Sequence, residues 1–273
     1  MTDGVRLTLR APVAGGLEVE GVTADGLAGR SERDVAALPA WVGRQRVALG
    51  DLFHVRSAPG PFVHVEGDLG AVDGLGEGQT AGRLVIDGSA GARTGAHMLG
   101  GEVEVRGSVG HDAGLAMGGG TLLVHGHAGD RLGAAEPGTS SGMRGGAIQV
   151  LGSAGTDAAA ALRRGLVVIG GDLGAQAGRQ MRAGTLVAFG RIAGGAGWGN
   201  RRGSIVALGG LDVPSTYREA CTFEPVFLRL LLVGLARAGR LPVTQAMIDG
   251  RYRRFCGDLL PPGKGEILQW TGR

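Results

Sequence analysis

Four arginines recur at one point of a repeating pattern: Arg144, Arg163, Arg182 and Arg201 stand 19 residues apart, and Arg164 and Arg202 sit beside two of them. If the segments carrying them stack in register, their backbones lie ~4.8 Å apart. Guanidinium groups aligned that closely repel unless anions lie between them. Between residues 140 and 210 the chain holds eight Arg but only two acids, Asp157 and Asp172, so it supplies little compensation. Two readings stand side by side. The long side chains can splay into solvent, where repulsion is weak. Otherwise the column is a strip for a polyanion, either carboxylates of a partner protein or the acidic tail of a small molecule.

Other chemistry-bearing patterns are sparse. His125 and His127 alternate on one strand face and could begin a metal site, but the same unit offers no third ligand, and His97 and His111 fall at other offsets. Surface or interface histidines are the expectation, with no metal in this chain. A phosphate-binding loop needs Gly-Lys-Ser/Thr, and the single Lys264 is followed by Gly265. GLGEG (Gly74–Gly78) lacks the helix that a dinucleotide site requires. No Ser/His/Asp order stands out, nor do clustered acids of the sugar-cleaving kind. Cys221 and Cys256 lie far apart with no Cys-x-x-Cys spacing, which suggests reduced thiols in a cytoplasmic protein. No catalytic residue is expected.

What positions the arginines is a repeat. Gly67, Gly88, Gly107, Gly126, Gly152, Gly171, Gly190 and Gly209 mark units of 19 residues, lengthened by seven within Ala134–Met143 and by two near Gly76–Gly78. Further glycines recur three, seven and thirteen residues after each anchor, with Ala193 and Ala159 as exceptions. Ten residues after the anchor stand Met98, Met117, Met143, Leu162 and Met181. Each unit ends in a short strand, such as EVEVRG, TLLVHG, AIQVLG or TLVAFG. A 19-residue unit is too short for a helical hairpin repeat and shows no 3.6-residue period. The expected fold is all-β: a right-handed parallel β-helix of about seven coils, with glycines supplying left-handed corners. Val103/Val105, Leu122/Val124, Ile148/Val150, Val167/Ile169 and Ile205/Ala207 should point inward, as should the methionine column.

The outward strand positions change along the chain, from Glu104, Arg106 and His125 to Val168, Val187, Phe189, Val206 and Leu208. A strand apolar on both faces is buried on both. Either the C-terminal helix or another subunit must cover the last coils, and these five residues are candidates for a partner interface. Residues 1–60 form a small cap, with a short helix begun by Ser31 and Asp34. Residues 61–210 are the glycine repeat, and residues 211–273 a helical tail with a helix over Pro225–Ala238 ended by Gly239.

Composition closes off several classes. With 56 Gly but only 10 Pro and no Gly-X-Y period, the chain is not collagen. At 43% hydrophobic residues in strand-sized clusters it is not disordered. The longest apolar run, Val226–Ala236, is broken by Arg229 and is too short to span a membrane. Of the 28 basic residues all but Lys264 are Arg, a bias that by itself does not argue for nucleic acid, and the net charge is only +3.

The unit GDLGAQAGRQMRAGTLVAFG (Gly171–Gly190), with SAGARTGAHMLGGEVEVRG and SVGHDAGLAMGGGTLLVHG, resembles the glycine-repeat domain in the C subunit of formylmethanofuran dehydrogenase. That domain type also forms the C-terminal part of the glutamate synthase large subunit. The flanks WVGRQRVALGDLFHV (Trp41–Val55), CTFEPVFLRLLL (Cys221–Leu232) and RYRRFCGDLLPPGKGEIL (Arg251–Leu268) are most similar to the C subunit of bacterial formyltransferase/hydrolase complexes. The resemblance implies a non-catalytic subunit of a hetero-oligomer. Such a complex moves a formyl group from formyl-tetrahydromethanopterin to a methanofuran-type carrier and hydrolyses it to formate, with zinc held by another subunit. Because such carriers bear glutamate-rich tails, the Arg column acquires a candidate ligand. Two rivals remain: a glutamate-synthase-like domain, which would need flavin and amidotransferase modules, and a self-assembling filament, which would need uncapped ends.

Overall fold

The computed structural model describes residues 4–12, 16–260 and 263–272. Its centre is seven short strands, one per repeat: β8 (Arg83–Asp87), β9 (Glu102–Val105), β10 (Thr121–Val124), β11 (Ala147–Val150), β12 (Leu166–Ile169), β13 (Thr185–Ala188) and β14 (Ser204–Ala207). Each pairs in parallel with the next at an unchanged register, so that Leu84, Val103, Leu122, Ile148, Val167, Leu186 and Ile205 stand level. A one-residue slip would turn every one of these side chains out to the other face, which is why the register holds. A second ladder of single bridges links Ala90, Val109, Ala128, Ala154, Leu173, Ile192 and Leu211. The seven-residue insertion bulges out between β10 and β11 without breaking either ladder.

The inward pairs named from the sequence are fully buried, and so are Met98, Met117, Met143 and Met181 with Leu162 in the same column. Flexible thioethers fill a narrow interior that branched side chains would fit poorly.

The glycines serve two ends rather than one. Those seven residues past the anchor, and those thirteen past it from Gly82 to Gly184, are left-handed corners, as at Gly95 (φ 65°) and Gly101 (φ 73°), while Gly203 is not. Those three past the anchor have ordinary backbone angles, and from Gly91 to Gly174 they are glycine for lack of room, whereas Gly70 stands open. A Cβ on Gly174 would lie 2.5 Å from the Gly155 carbonyl carbon and 2.6 Å from the Thr156 nitrogen. Ala159, an exception in the repeat, keeps the left-handed corner at φ 57° despite its methyl group. The turns also use left-handed residues five and nine past the anchor, among them Asp112, Ala116, Gln176 and Gln180, which the glycine pattern does not reveal.

Both flanks continue the same sheet. On one side β6 (Phe62–Glu66) pairs with β8, β1 (Gly4–Leu9) follows in parallel, and β5 (Phe53–Ala58) closes the edge antiparallel. β2 (Leu17–Val19), β3 (Pro39–Val42), β4 (Gln45–Ala48) and β7 (Val72–Asp73) make a separate four-stranded sheet. Three short helices accompany them: α1 (Ala24–Leu27), α2 (Glu32–Ala36) and α3 (Leu49–Leu52). Ser31 caps α2, its hydroxyl accepting the Asp34 N–H at 3.2 Å. On the other side β17 (Gly265–Trp270) pairs in parallel with β14, and β16 (Tyr252–Gly257) and β15 (Arg218–Phe223) follow antiparallel. The result is one 13-stranded sheet. Between β15 and β16 lie α4 (Val226–Ala238), ended by left-handed Gly239, and the single-turn α5 (Gln245–Ile248).

One expectation is corrected here. Val168, Val187, Phe189, Val206 and Leu208 do not present an open face to a partner. They are buried inside this chain, in a second core with Leu228 and Leu232 of α4, Leu241, Tyr252 of β16 and Leu268 of β17. A strand apolar on both faces requires a cover, and the chain's own return supplies it without the entropy cost of association.

Candidate functional site

The arginines stack as their spacing predicts. The Arg144 N–H donates to the Met117 carbonyl (2.7 Å), Arg163 to Met143 (2.9 Å), Arg182 to Leu162 (2.8 Å) and Arg201 to Met181 (2.8 Å). All four therefore occupy the same place in successive turns, just before the strand. Arg144, Arg163, Arg164, Arg201 and Arg202 are exposed and Arg182 is half-buried. The two acids of this stretch are already engaged elsewhere. Asp157 pairs with Arg179 (2.7 Å), Asp172 accepts the Arg191 backbone N–H (2.7 Å), and the Arg191 side chain reaches Asp212 (2.6 Å). Among the described residues none of the six column arginines has a carboxylate partner. A strip of uncompensated cations focuses positive potential where it lines a cleft.

Such a cleft exists at the end of the column. A groove of about 420 Å³ is walled by Arg182 and Arg201 together with Ser140, Gln180, Trp198, Gly199 and Leu260. Trp198 is 51% exposed and Leu260 72%, so one wall is apolar and the other cationic. The turn beneath is held rigidly. Asn200 is fully buried, accepting the Gly203 N–H (2.8 Å) and donating to the Gly203 carbonyl (2.9 Å), which fixes the loop bearing Arg201 and Arg202. Buried Asp258 accepts N–H bonds from Gly199 (3.0 Å) and Leu260 (3.1 Å) and ties the two sides of the groove together. Burial alone would raise its carboxyl, but these donors more than offset that and hold it below the usual 3.8. Guanidinium forks carried on a fixed turn beside a flat indole suit an anion that also carries an apolar part.

Lys264 joins the same surface. β17 pairs with β14, and the Lys264 N–H donates to the Arg201 carbonyl at 2.6 Å, placing the chain's only lysine level with Arg202. The repeat offset cannot reveal this, since Lys264 arrives by a return of the chain rather than by the next unit.

The histidines do not converge. His125 Nε2 lies 2.9 Å from Glu104 Oε1, whereas His127 Nδ1 accepts the Ser153 N–H at 3.0 Å. His97 lies by Glu136, and His111 accepts the Asp130 N–H. Glu104 also receives Arg83 at 2.6 Å. That bond, opposed by burial and aided by His125, holds its carboxyl below the usual 4.5. Among the described residues no three His, Cys, Asp or Glu side chains gather as a metal site would require.

Comparison with known proteins bears on both the repeat and the flanks. No family model matches the chain. Over 80 residues it is 32% identical to the C subunit of molybdenum-containing formylmethanofuran dehydrogenase 1 of Methanosarcina barkeri, a match spanning 28% of this chain and 27% of that protein. The chain thus spans about a quarter of that curated relative's length. A chain of the formyltransferase/hydrolase complex (FhcABCD) of Methylorubrum extorquens, solved in complex with methylofuran, superposes with a TM-score of 0.87. It is 32% identical, and the match covers 97% of this chain and 98% of that one. The protein belongs to the family of formylmethanofuran dehydrogenase C subunits.

In this family member, sequence reasoning found the cationic strip but missed the groove beside it. Trp198, the one aromatic residue among the glycines of GGAGWGN, could have been singled out. Leu260 and Ser140 gave no signal. The first is delivered by the β16–β17 return and the second by the inserted loop.

Proposed function

We propose that the chain is a non-catalytic scaffold subunit of a cytoplasmic formyltransferase/hydrolase complex. Its partners are the other subunits of that hetero-oligomer, which transfer a formyl group from formyl-tetrahydromethanopterin to a methanofuran-type carrier and release formate. Zinc belongs to a partner subunit. The observation that carries this reading is the end-to-end similarity to a chain of such a complex, at 32% identity over 97% of the sequence. The scarcity of groups that could act as nucleophile or metal ligands favours a supporting role over a catalytic one.

Within that reading residues 61–210 form a right-handed parallel β-helix, supported by constant-register pairing along two ladders. Residues 1–60 cap one end and residues 211–273 cover the other. The strip of Arg144, Arg163, Arg182 and Arg201, flanked by Arg164, Arg202 and Lys264, holds a polycarboxylate, the glutamate-rich tail of the carrier. The Trp198–Leu260 wall receives an apolar portion of the same ligand.

Two experiments test this. Affinity purification from the native host followed by mass spectrometry should recover a formyltransferase and a zinc amidohydrolase-like chain; recovery of this chain alone refutes the complex. Replacing Arg163 and Arg182 with Gln should weaken binding of a glutamate oligomer and flatten its dependence on salt. Unchanged affinity would make the strip ordinary surface, and binding of an acidic partner chain in place of the oligomer would reassign its ligand.

A further inference from the structure

Helix α4 has two apolar sides, and only one is used. Leu228 and Leu232 face the second core and are fully buried. Val226, Phe227, Leu230, Val233 and Gly234 follow i, i+1, i+4, i+7, i+8 spacing and lie on the opposite side. Val226 is 74% exposed, Leu230 71% and Phe227 45%, and nothing lies within 4 Å of a Cβ built on Gly234. Among the described residues these are three of the seven exposed large apolar side chains, gathered on one turn and a half of helix. An exposed apolar stripe of this kind marks an interaction surface.

The stripe's own symmetry identifies what covers it. With a two-fold axis through Leu230 and a second α4 running antiparallel, Val226 falls opposite Gly234 and Phe227 opposite Val233. The bulky residues at one end thus meet the glycine notch and smaller side chain at the other. The charges follow the same symmetry. Glu224, just before the extended Pro225 cap, lies at the end of the helix that meets Arg237 in the mate's last turn. Both are exposed, and among the described residues neither has an opposite charge within the chain, whereas flanking Arg229 is taken by Asp249. A two-fold contact requires that one patch be complementary to itself. A different partner would demand no match between the two halves of this helix.

We propose that α4 is the contact through which two copies of this chain meet, its outer stripe packing against its own symmetry mate. The inference goes beyond the proposed function and does not depend on it. Any assembly carrying one copy of the chain is doubled through this helix.

The test uses the full chain, alone and with whatever subunits co-purify. In a Cys221→Ser background, Leu230→Cys places one thiol on the axis. Mild oxidation should then give a species of twice the 27.6 kDa chain mass, which Arg30→Cys at a remote exposed site should not. Sedimentation of the wild type should show the doubled mass, and Leu230→Glu should weaken self-association by at least about tenfold with the circular dichroism unchanged. Glu224→Arg should weaken it too, and adding Arg237→Glu should restore it. A wild type with a single copy at all concentrations overturns the proposal. So does a cross-link from the new thiol to a different chain, or a doubled mass that survives Leu230→Glu.

Discussion

Asn200 makes the cationic groove a fixed feature rather than a loose loop. Its amide satisfies both backbone groups of Gly203 from a fully buried position, so Arg201 and Arg202 project from a turn that cannot drift. Truncation to Ala leaves the buried Gly203 N–H unpaired and removes one of the two bonds to its carbonyl, which keeps the Glu266 N–H. Asn200→Ala should lower stability by about 1–3 kcal/mol in denaturant unfolding and should weaken glutamate-oligomer binding although no charge is removed. Glu104 gives a second test at this scale. Its folded-state pKa is depressed by Arg83, so its contribution is present above the usual 4.5 and is lost as the pH falls through the lower folded value. In unfolding midpoints measured against pH, wild type should exceed Glu104→Gln near neutrality. The gap should close as the pH drops below 4.5.

Among the elements, the repeat turns and α4 respond to opposite kinds of change. Turn glycines such as Gly174 are small because the preceding unit's backbone lies against them, within 2.5 Å of where a Cβ would stand. Gly174→Ala must force two turns apart and should destabilise more than the same change at Gly194, where a Cβ meets nothing within 4 Å. Thermal unfolding of the two variants separates crowding from chain entropy. On α4 the contrast is between faces. Leu232→Ala should cost about 2–5 kcal/mol, since it opens a cavity over β12–β14. Leu230→Ala should change the stability of the single chain by no more than about 0.5 kcal/mol. Similar losses at both positions, measured on dilute protein, would mean that the outer face is not free in the isolated chain.

At the scale of the molecule, one long sheet with different strand pairings along its length dominates the chain. Parallel strands run from β1 and β6 through β14 to β17, while antiparallel β5 and β15–β16 occupy the ends. The cations gather towards the later repeats, whereas the earlier ones carry paired charges such as Arg83–Glu104 and Arg106–Asp87. Binding of a polycarboxylate should therefore fall with salt through the later repeats alone. Removing an early cation, as in Arg106→Gln, should leave glutamate-oligomer affinity and its salt slope unchanged in a titration series.

A fixed period accounts for most of what was legible before the chain is folded, and local capping signals for the helices begun by Ser31 and ended by Gly239. Units of constant length stack at constant register, so a column in the sequence becomes a column in space. The methionine ladder, the inward Val and Ile pairs and the arginine strip could be read for that reason. The period does not say why a glycine recurs, and both crowding and left-handed geometry leave the same letter. Nor does it reach contacts between segments some sixty residues apart. The Gly199–Asp258 bond, the stacking of Lys264 beside Arg202 and the closing of the groove by Leu260 depend on where the C-terminal chain returns. Folding also laid α4 over Val187 and Phe189, turning expected partner residues into core. Two apolar surfaces in one sequence can be matched to each other or to another chain, and hydrophobic burial is indifferent to which. Only the path of the connecting chain settled it.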